Sequence, residues 1–192
     1  PVMKRLLSIL SYLVLGVVLM LPATAYADET SIYAPFSSFE ELYNEYIDAV
    51  EDGDTERQKW LLEIGESSLD AEIRISEEAL ASVPAPMYNQ DEMYWIGQFP
   101  NYFNYGTWKY DNQGRANLAL GPINTGIWSS TDAANGWNAT YTKFRNDSQW
   151  GNKNVACMKD QFYCHARPVY STIAGEWNLE PWRTSMNPIT CN

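Results

Sequence analysis

His165, the only histidine of this 192-residue chain, stands in Met158-Lys159-Asp160-Gln161-Phe162-Tyr163-Cys164-His165. Glu176 and Glu180 follow in Glu176-Trp177-Asn178-Leu179-Glu180-Pro181-Trp182-Arg183. A histidine oriented by a carboxylate can act as a general base, and two carboxylates can flank a glycosidic bond. His165 with Asp160, Glu176 and Glu180 is therefore the candidate catalytic set of a small hydrolase. The same residues also have a structural reading. His165 packs beside a cystine, Asp160 pairs with Arg167 or Arg183, and a Glu180–Arg183 ion pair locks a turn. Trp177, Trp182, Arg183 and Gln161 form a candidate binding set, because Trp, Tyr and amide side chains suit stacking and hydrogen bonding to a sugar or a protein.

Spacing limits the chemistry. Residues 156–166 hold no Pro or Gly, and Met158, Phe162 and His165 recur near helical spacing, so the stretch reads as a helix ended by Pro168. On that helix Cys157 and His165 are roughly 12 Å apart by rise, too far for a Cys–His nucleophilic pair, which needs about 3 Å. No C-x-x-C or H-x-x-x-H ligand pattern occurs, nor a phosphate-binding or dinucleotide fingerprint, so no metal or cofactor is expected. Cys157 and Cys164 lie roughly 10 Å apart along the axis, beyond the ~7 Å that a disulfide spans. One of them is therefore expected to pair with Cys191. The cysteine left over is a free thiol or joins two molecules in a covalent dimer.

The elements that position these residues divide by charge. Met3-Lys4-Arg5 opens a basic-then-apolar run to Leu21, and Ala25-Tyr26-Ala27 reads as a cleavage site, so 1–27 is expected to be a signal peptide and the protein to be exported. The apolar run is shorter than the ~20 residues of a membrane span; no span is expected after cleavage. Residues 28–93 carry 18 acidic and 3 basic residues, whereas 94–192 carry 6 and 8, with seven of the eight tryptophans. The net charge of −11 argues against nucleic-acid binding. The partners that fit an exported, aromatic-rich chain are envelope glycans or proteins.

Ser38 to Glu41 has capping-box spacing, and Phe39, Leu42, Tyr43, Tyr46, Ile47 and Val50 make one helical stripe. Asp52-Gly53-Asp54 stops it, Thr55 to Gln58 is a second capping box, and Trp60, Leu61 and Ile64 continue toward Leu69. The region 28–83 thus reads as acidic helices, and 84–93, opened by Pro84 and Pro86, as a linker. From 94 the pattern changes. Tyr94 to Gly97 and the aromatic run Phe99–Tyr110 read as strands interrupted at Pro100 and Gly106, Asp111 to Gly114 as a turn, and Arg115–Leu120 as a strand ended by Gly121-Pro122. Thr131-Asp132 could cap a helix carrying Ala133, Ala134, Trp137, Tyr141 and Phe144 on one face, with Gly136 weakening it. The expected fold is α+β: an acidic helical segment followed by a small aromatic-rich α+β domain, 94–192, closed by one disulfide.

Met158-Lys159-Asp160-Gln161-Phe162-Tyr163-Cys164-His165, then Trp177 to Arg183, then Cys191-Asn192, resembles the signature of the bacterial secreted domain-of-unknown-function family 2599. The resemblance covers about the last hundred residues and implies that Cys164 pairs with Cys191. Cys157 stands where that family usually has glycine, and Thr184 where it usually has proline. The resemblance brings no activity with it. For the export reading, intact-mass measurement of protein recovered from the medium is expected to place the N-terminus near Asp28; cell-retained protein with Met3 attached would refute it.

Overall fold

The computed structural model describes residues 31–82, 98–123, 128–168, 170 and 175–192. The expected signal peptide, the linker 84–93 and the strand expected at 94–97 lie outside the described residues. Helix α1 spans Phe39–Glu51 and α2 spans Thr55–Ser82. Ser38 caps α1 by accepting from the Glu41 amide, while the Glu41 carboxylate turns to Ser37 instead of closing the box. Asp52 and Gly53, at φ 69°, end the helix. The expected Thr55 cap is corrected: Asp54 accepts from the Arg57 amide, and Gln58 reaches the Ala49 carbonyl. The apolar stripe also shifts. Phe39, Leu42, Tyr46 and Ala49 are buried at a 3-4-3 spacing, which leaves Val50 on the rim, 46% exposed. On α2 it is Leu61 that enters the core, while Trp60 leans on the Phe36 ring and is 46% exposed.

A 3-10 turn, Phe99–Asn101, leads into β1, Phe103–Tyr110. The carboxylate of Asp111 accepts from the Gln113 and Arg115 amides, turning the chain into β2, Ala116–Pro122. Gly106 does not break the strand. It sits inside β1 because a Cβ there would come within 2.6 Å of Phe144 and 2.8 Å of Phe99. Helix α3 spans Ser130–Phe144, and its capping box is Ser129 with Asp132 rather than a Thr131 cap. Gly136, which costs intrinsic propensity, is required by packing: a Cβ would meet the Trp128 ring at 2.5 Å. Helix α4 spans Val155–Ala166, as expected, and β3 spans Trp177–Leu179. The sheet is antiparallel, in the order β1-β2-β3, with Leu118 opposite Leu179 and Leu120 opposite Trp177. The fold is α+β, and no helix among the described residues is long and apolar enough to cross a membrane.

One core joins Leu118, Leu120, Trp177 and Leu179 of the sheet to Trp137, Phe144, Trp150, Met158 and Phe162, and it includes Leu69 of α2. A second gathers Phe36, Phe39, Leu42, Tyr46, Ala49 and Leu61 around Ile189 of the C-terminal tail. Residues 31–192 make one compact unit.

Arg167, at the end of α4, is 3% exposed and holds these parts together. Its Nε donates to Glu72 of α2 at 2.6 Å and its Nη1 to the Pro188 carbonyl at 2.6 Å. Nη2 donates to Ser68 at 3.3 Å, and the guanidinium lies 4.2 Å from the centre of the Phe39 ring. Tyr33 donates a further bond to Glu72. Removing Glu72 leaves a buried cation without its counter-charge, an effect of about 3–5 kcal/mol. Glu72→Ala is therefore expected to lower the urea midpoint strongly, and adding Arg167→Met to recover part of the loss. A Glu72→Ala midpoint equal to wild type would refute the assigned role.

Candidate functional site

The signature residues meet where α4 runs beside β3. Met158 and Phe162 point into the aromatic core. Gln161 and His165, four residues apart, face the strand edge that β2 does not cover. Gln161 Oε1 accepts from the Glu180 amide at 2.8 Å, and the His165 ring hydrogen-bonds the Asn178 backbone. One helical step of four residues rises ~6 Å, and one strand step of two residues advances ~6.6 Å. The spacing of Gln161 and His165 therefore matches the spacing of Asn178 and Glu180. Two side chains do here what a fourth strand would do, covering an open edge.

His165 is buried, stacked on Trp177 with ring centres 6.1 Å apart and planes at 15°, and edge-on to Tyr170. Its Nδ1 has no hydrogen-bond partner among the described residues. Burial lowers its pKa from 6.5 to about 4, the backbone bond opposing. Among the described residues no carboxylate orients the ring. Asp160 lies in an open cleft of about 530 Å³ with Glu63, Glu66 and Asp70 of α2 and Thr184, Ser185 and Met186 of the tail. Burial first, then the Asp70 charge, holds its carboxyl above the usual carboxylate range. The expected ion pair of Asp160 with Arg167 or Arg183 is not formed: Arg167 turns to Glu72, and Arg183 to Glu180. The Glu180–Arg183 pair does lock the turn after β3, helped by the Glu180 carbonyl accepting from the Arg183 amide. Glu176 accepts from Lys109 at 2.7 and 2.9 Å and from the Tyr105 hydroxyl at 2.8 Å, which holds its carboxyl below its usual range.

The binding candidates separate likewise. Trp177 and Gln161 are fully enclosed and offer no surface to a ligand. Trp182 reaches the surface with the Arg115 guanidinium 3.5 Å and the Arg183 guanidinium 4.8 Å from its ring centre. Cys164 and Cys191 form the disulfide, with Cα atoms 5.6 Å apart, and Cys157 is a buried free thiol whose pKa burial pushes up. Among the described residues no group of three His, Cys, Asp or Glu is placed to hold a metal ion.

The C-terminal part of the chain, residues 104–191, matches the model of DUF2599, a family described as protein of unknown function. The match bears out the resemblance read from the signature. It begins within β1 and ends at Cys191, so the DUF2599 region contains the whole α4–β3 joint and its disulfide, while α1 and α2 lie outside it. No curated protein and no solved structure matches the chain.

Three groupings escaped the sequence reading: Arg167 with Glu72, Arg115 over Trp182, and Tyr105 and Lys109 with Glu176. Each joins residues more than 60 positions apart. Only the Asp111–Arg115 pair within the hairpin turn carried a local signal for one of the residues involved. The disulfide closes a 27-residue separation, for which the chain-entropy relation gives roughly 3–4 kcal/mol. Cys164→Ser or Cys191→Ser is expected to lose a few kcal/mol in non-reducing guanidinium unfolding, and Cys157→Ala about 1 kcal/mol. Non-reducing peptide mapping that recovers a Cys157–Cys191 peptide would overturn the assignment.

Proposed function

We propose that this chain is an exported binding or interaction module that acts at the cell envelope or outside the cell, on an envelope glycan or protein. The observation that carries the reading is the outer face of the sheet. Tyr105, Thr107 and Lys109 alternate along β1 away from the core, and Glu176 draws the Tyr105 hydroxyl and the Lys109 ammonium into one ordered, exposed group. Ordering these side chains beforehand lowers the entropy lost on binding. Tyr110, at the end of the same strand, is 60% exposed and accepts from Gln149. By contrast, His165 and Glu180 are already committed to the Asn178 backbone and to Arg183.

A small exported hydrolase is the second reading. Asp160 supports it: a carboxyl held toward its protonated form, in an open cleft facing Asp70 and Glu66, has the attributes of a general acid. The experiment that separates them uses the full exported chain, immobilised, with purified cell-wall glycan and solubilised envelope proteins as probes. Binding is expected, with a loss of about tenfold in affinity, or ~1.4 kcal/mol, in Tyr105→Ala/Lys109→Ala. Release of soluble glycan fragments that stops in Asp160→Asn would favour the hydrolase. Neither binding nor turnover with either probe would refute both readings.

A further inference from the structure

The signature joint contains a titratable group that belongs neither to the Tyr105–Lys109–Glu176 face nor to the Asp160 cleft. We propose that His165 is an acid-operated catch, whose protonation releases β3 from α4 while the rest of the fold holds.

The geometry places one proton-accepting atom where, among the described residues, a charge has no counterpart. His165 is the only histidine in the chain and 8% exposed. With Nδ1 unpartnered, Nε2 is the nitrogen that meets the Asn178 backbone. The ring is held between Trp177, stacked, and Tyr170, edge-on. Among the described residues, the charged and titratable groups around it are committed elsewhere. On α4, Gln161 is neutral and bound to the Glu180 amide, Cys164 is oxidised, and Arg167 turns away to Glu72. On the β3 side, Trp177 and Asn178 are neutral, Glu176 is paired with Lys109, and Glu180 with Arg183. Tyr170 donates its hydroxyl proton to the Ile189 carbonyl. Protonation would therefore give Nδ1 an N–H with no acceptor, and a buried cation with no free anion, among the described residues. The face of Trp177 attracts a cation but cannot accept that N–H in the plane of the imidazole.

The direction follows from linkage. Burial lowers the ring's pKa from 6.5 to about 4. Above pH 6.5 the ring is neutral whether the joint is closed or open, and the joint is at full strength. Between 6.5 and 4 the open form takes up a proton that the closed form refuses, so closure weakens as pH falls, and the loss is complete below about 4. A shift of that size changes the open-to-closed ratio by roughly 300-fold. Asp160, whose carboxyl is held above its usual range, works in the opposite sense and sits on the cleft side of α4. The opening is local because the Cys164–Cys191 disulfide and the Arg167 contacts hold α4 and the tail independently of His165.

The test uses the full exported chain, isotope-labelled. With a single histidine, one set of imidazole signals reports this residue alone. Those signals are expected to titrate near pH 4. In the same range, amide protection factors over 176–180 are expected to fall at least tenfold while those of α1 and α3 stay unchanged. His165→Gln keeps an N–H donor but does not titrate, and is expected to abolish the step. A ring titrating near 6.5 in the folded protein would overturn the proposal. So would an opening that persists in His165→Gln, or a loss of protection spread evenly over the chain. If His165→Gln does not fold, the wild-type imidazole titration and the map of protection decide alone.

Discussion

A single guanidinium, that of Arg167, joins the acidic helices to the aromatic region. It is reached from α2 through Glu72 and Ser68, from α1 through the face of Phe39, and from the tail through the Pro188 carbonyl. Arginine suits this position because its planar fork can satisfy several acceptors from one buried point. Lysine, with one compact charge, could not meet a carboxylate, a carbonyl and a hydroxyl in these directions. A buried ion pair adds little net stability over an apolar substitute but penalises its own breakage strongly. The effect of Arg167 is therefore on arrangement more than on total stability. It specifies which face of α2 meets α4, and the tail is placed by the same contacts.

The tail then links the two hydrophobic clusters. Ile189 enters the α1–α2 cluster against Gly65, where a Cβ would come within 2.8 Å of its side chain. Two residues later Cys191, at φ 62°, turns back to the disulfide in the other cluster. Asn187 sets up this reversal. Its side-chain oxygen accepts from the Ile189 and Thr190 amides and its amide donates to the Tyr46 hydroxyl. The last six residues thus carry a turn, a core plug and a covalent anchor, and residues from outside the DUF2599 match line the same clusters as residues inside it.

Much of the local structure was legible, and the reasons for the rest are physical. Helix α4 could be read because 156–166 lack any breaker, and the hairpin because Asp111 to Gly114 is turn chemistry. The stripe on α1 erred only at its rim, where Val50 lies one residue past the buried Ala49. Strand β3 escaped because three residues are too few for an alternation to register, and its existence depends on β2 being in place. The roles of Gln161 and His165 escaped for the same reason: their partners are backbone atoms of that strand, and backbone leaves no mark in a sequence. His165 read as a packing residue beside a cystine, which describes its surroundings but not its bond to Asn178. Trp60 looked like core by helical spacing, yet Leu61 is better aimed at the second cluster.

The tryptophans raise a question of balance that magnitudes decide. Trp150 and Trp177 are fully enclosed, and neither indole N–H has a hydrogen-bond partner among the described residues. A buried donor left unpaired costs about 1–3 kcal/mol. Enclosing the ring removes roughly 150–250 Å² from water, worth about 4–6 kcal/mol at 25 cal/mol per Å². The apolar gain exceeds the polar loss even at the unfavourable ends of both ranges. A leucine would avoid the loss but span less of the gap between sheet and helices. Trp177 alone contacts Phe103, Trp128, Phe162 and His165 by ring packing. In a region of this size, where surface is large relative to core, one side chain that bridges a strand to α4 and to Phe103 of β1 fixes more geometry than two smaller ones. The N–H left without a partner among the described residues is the cost of that reach.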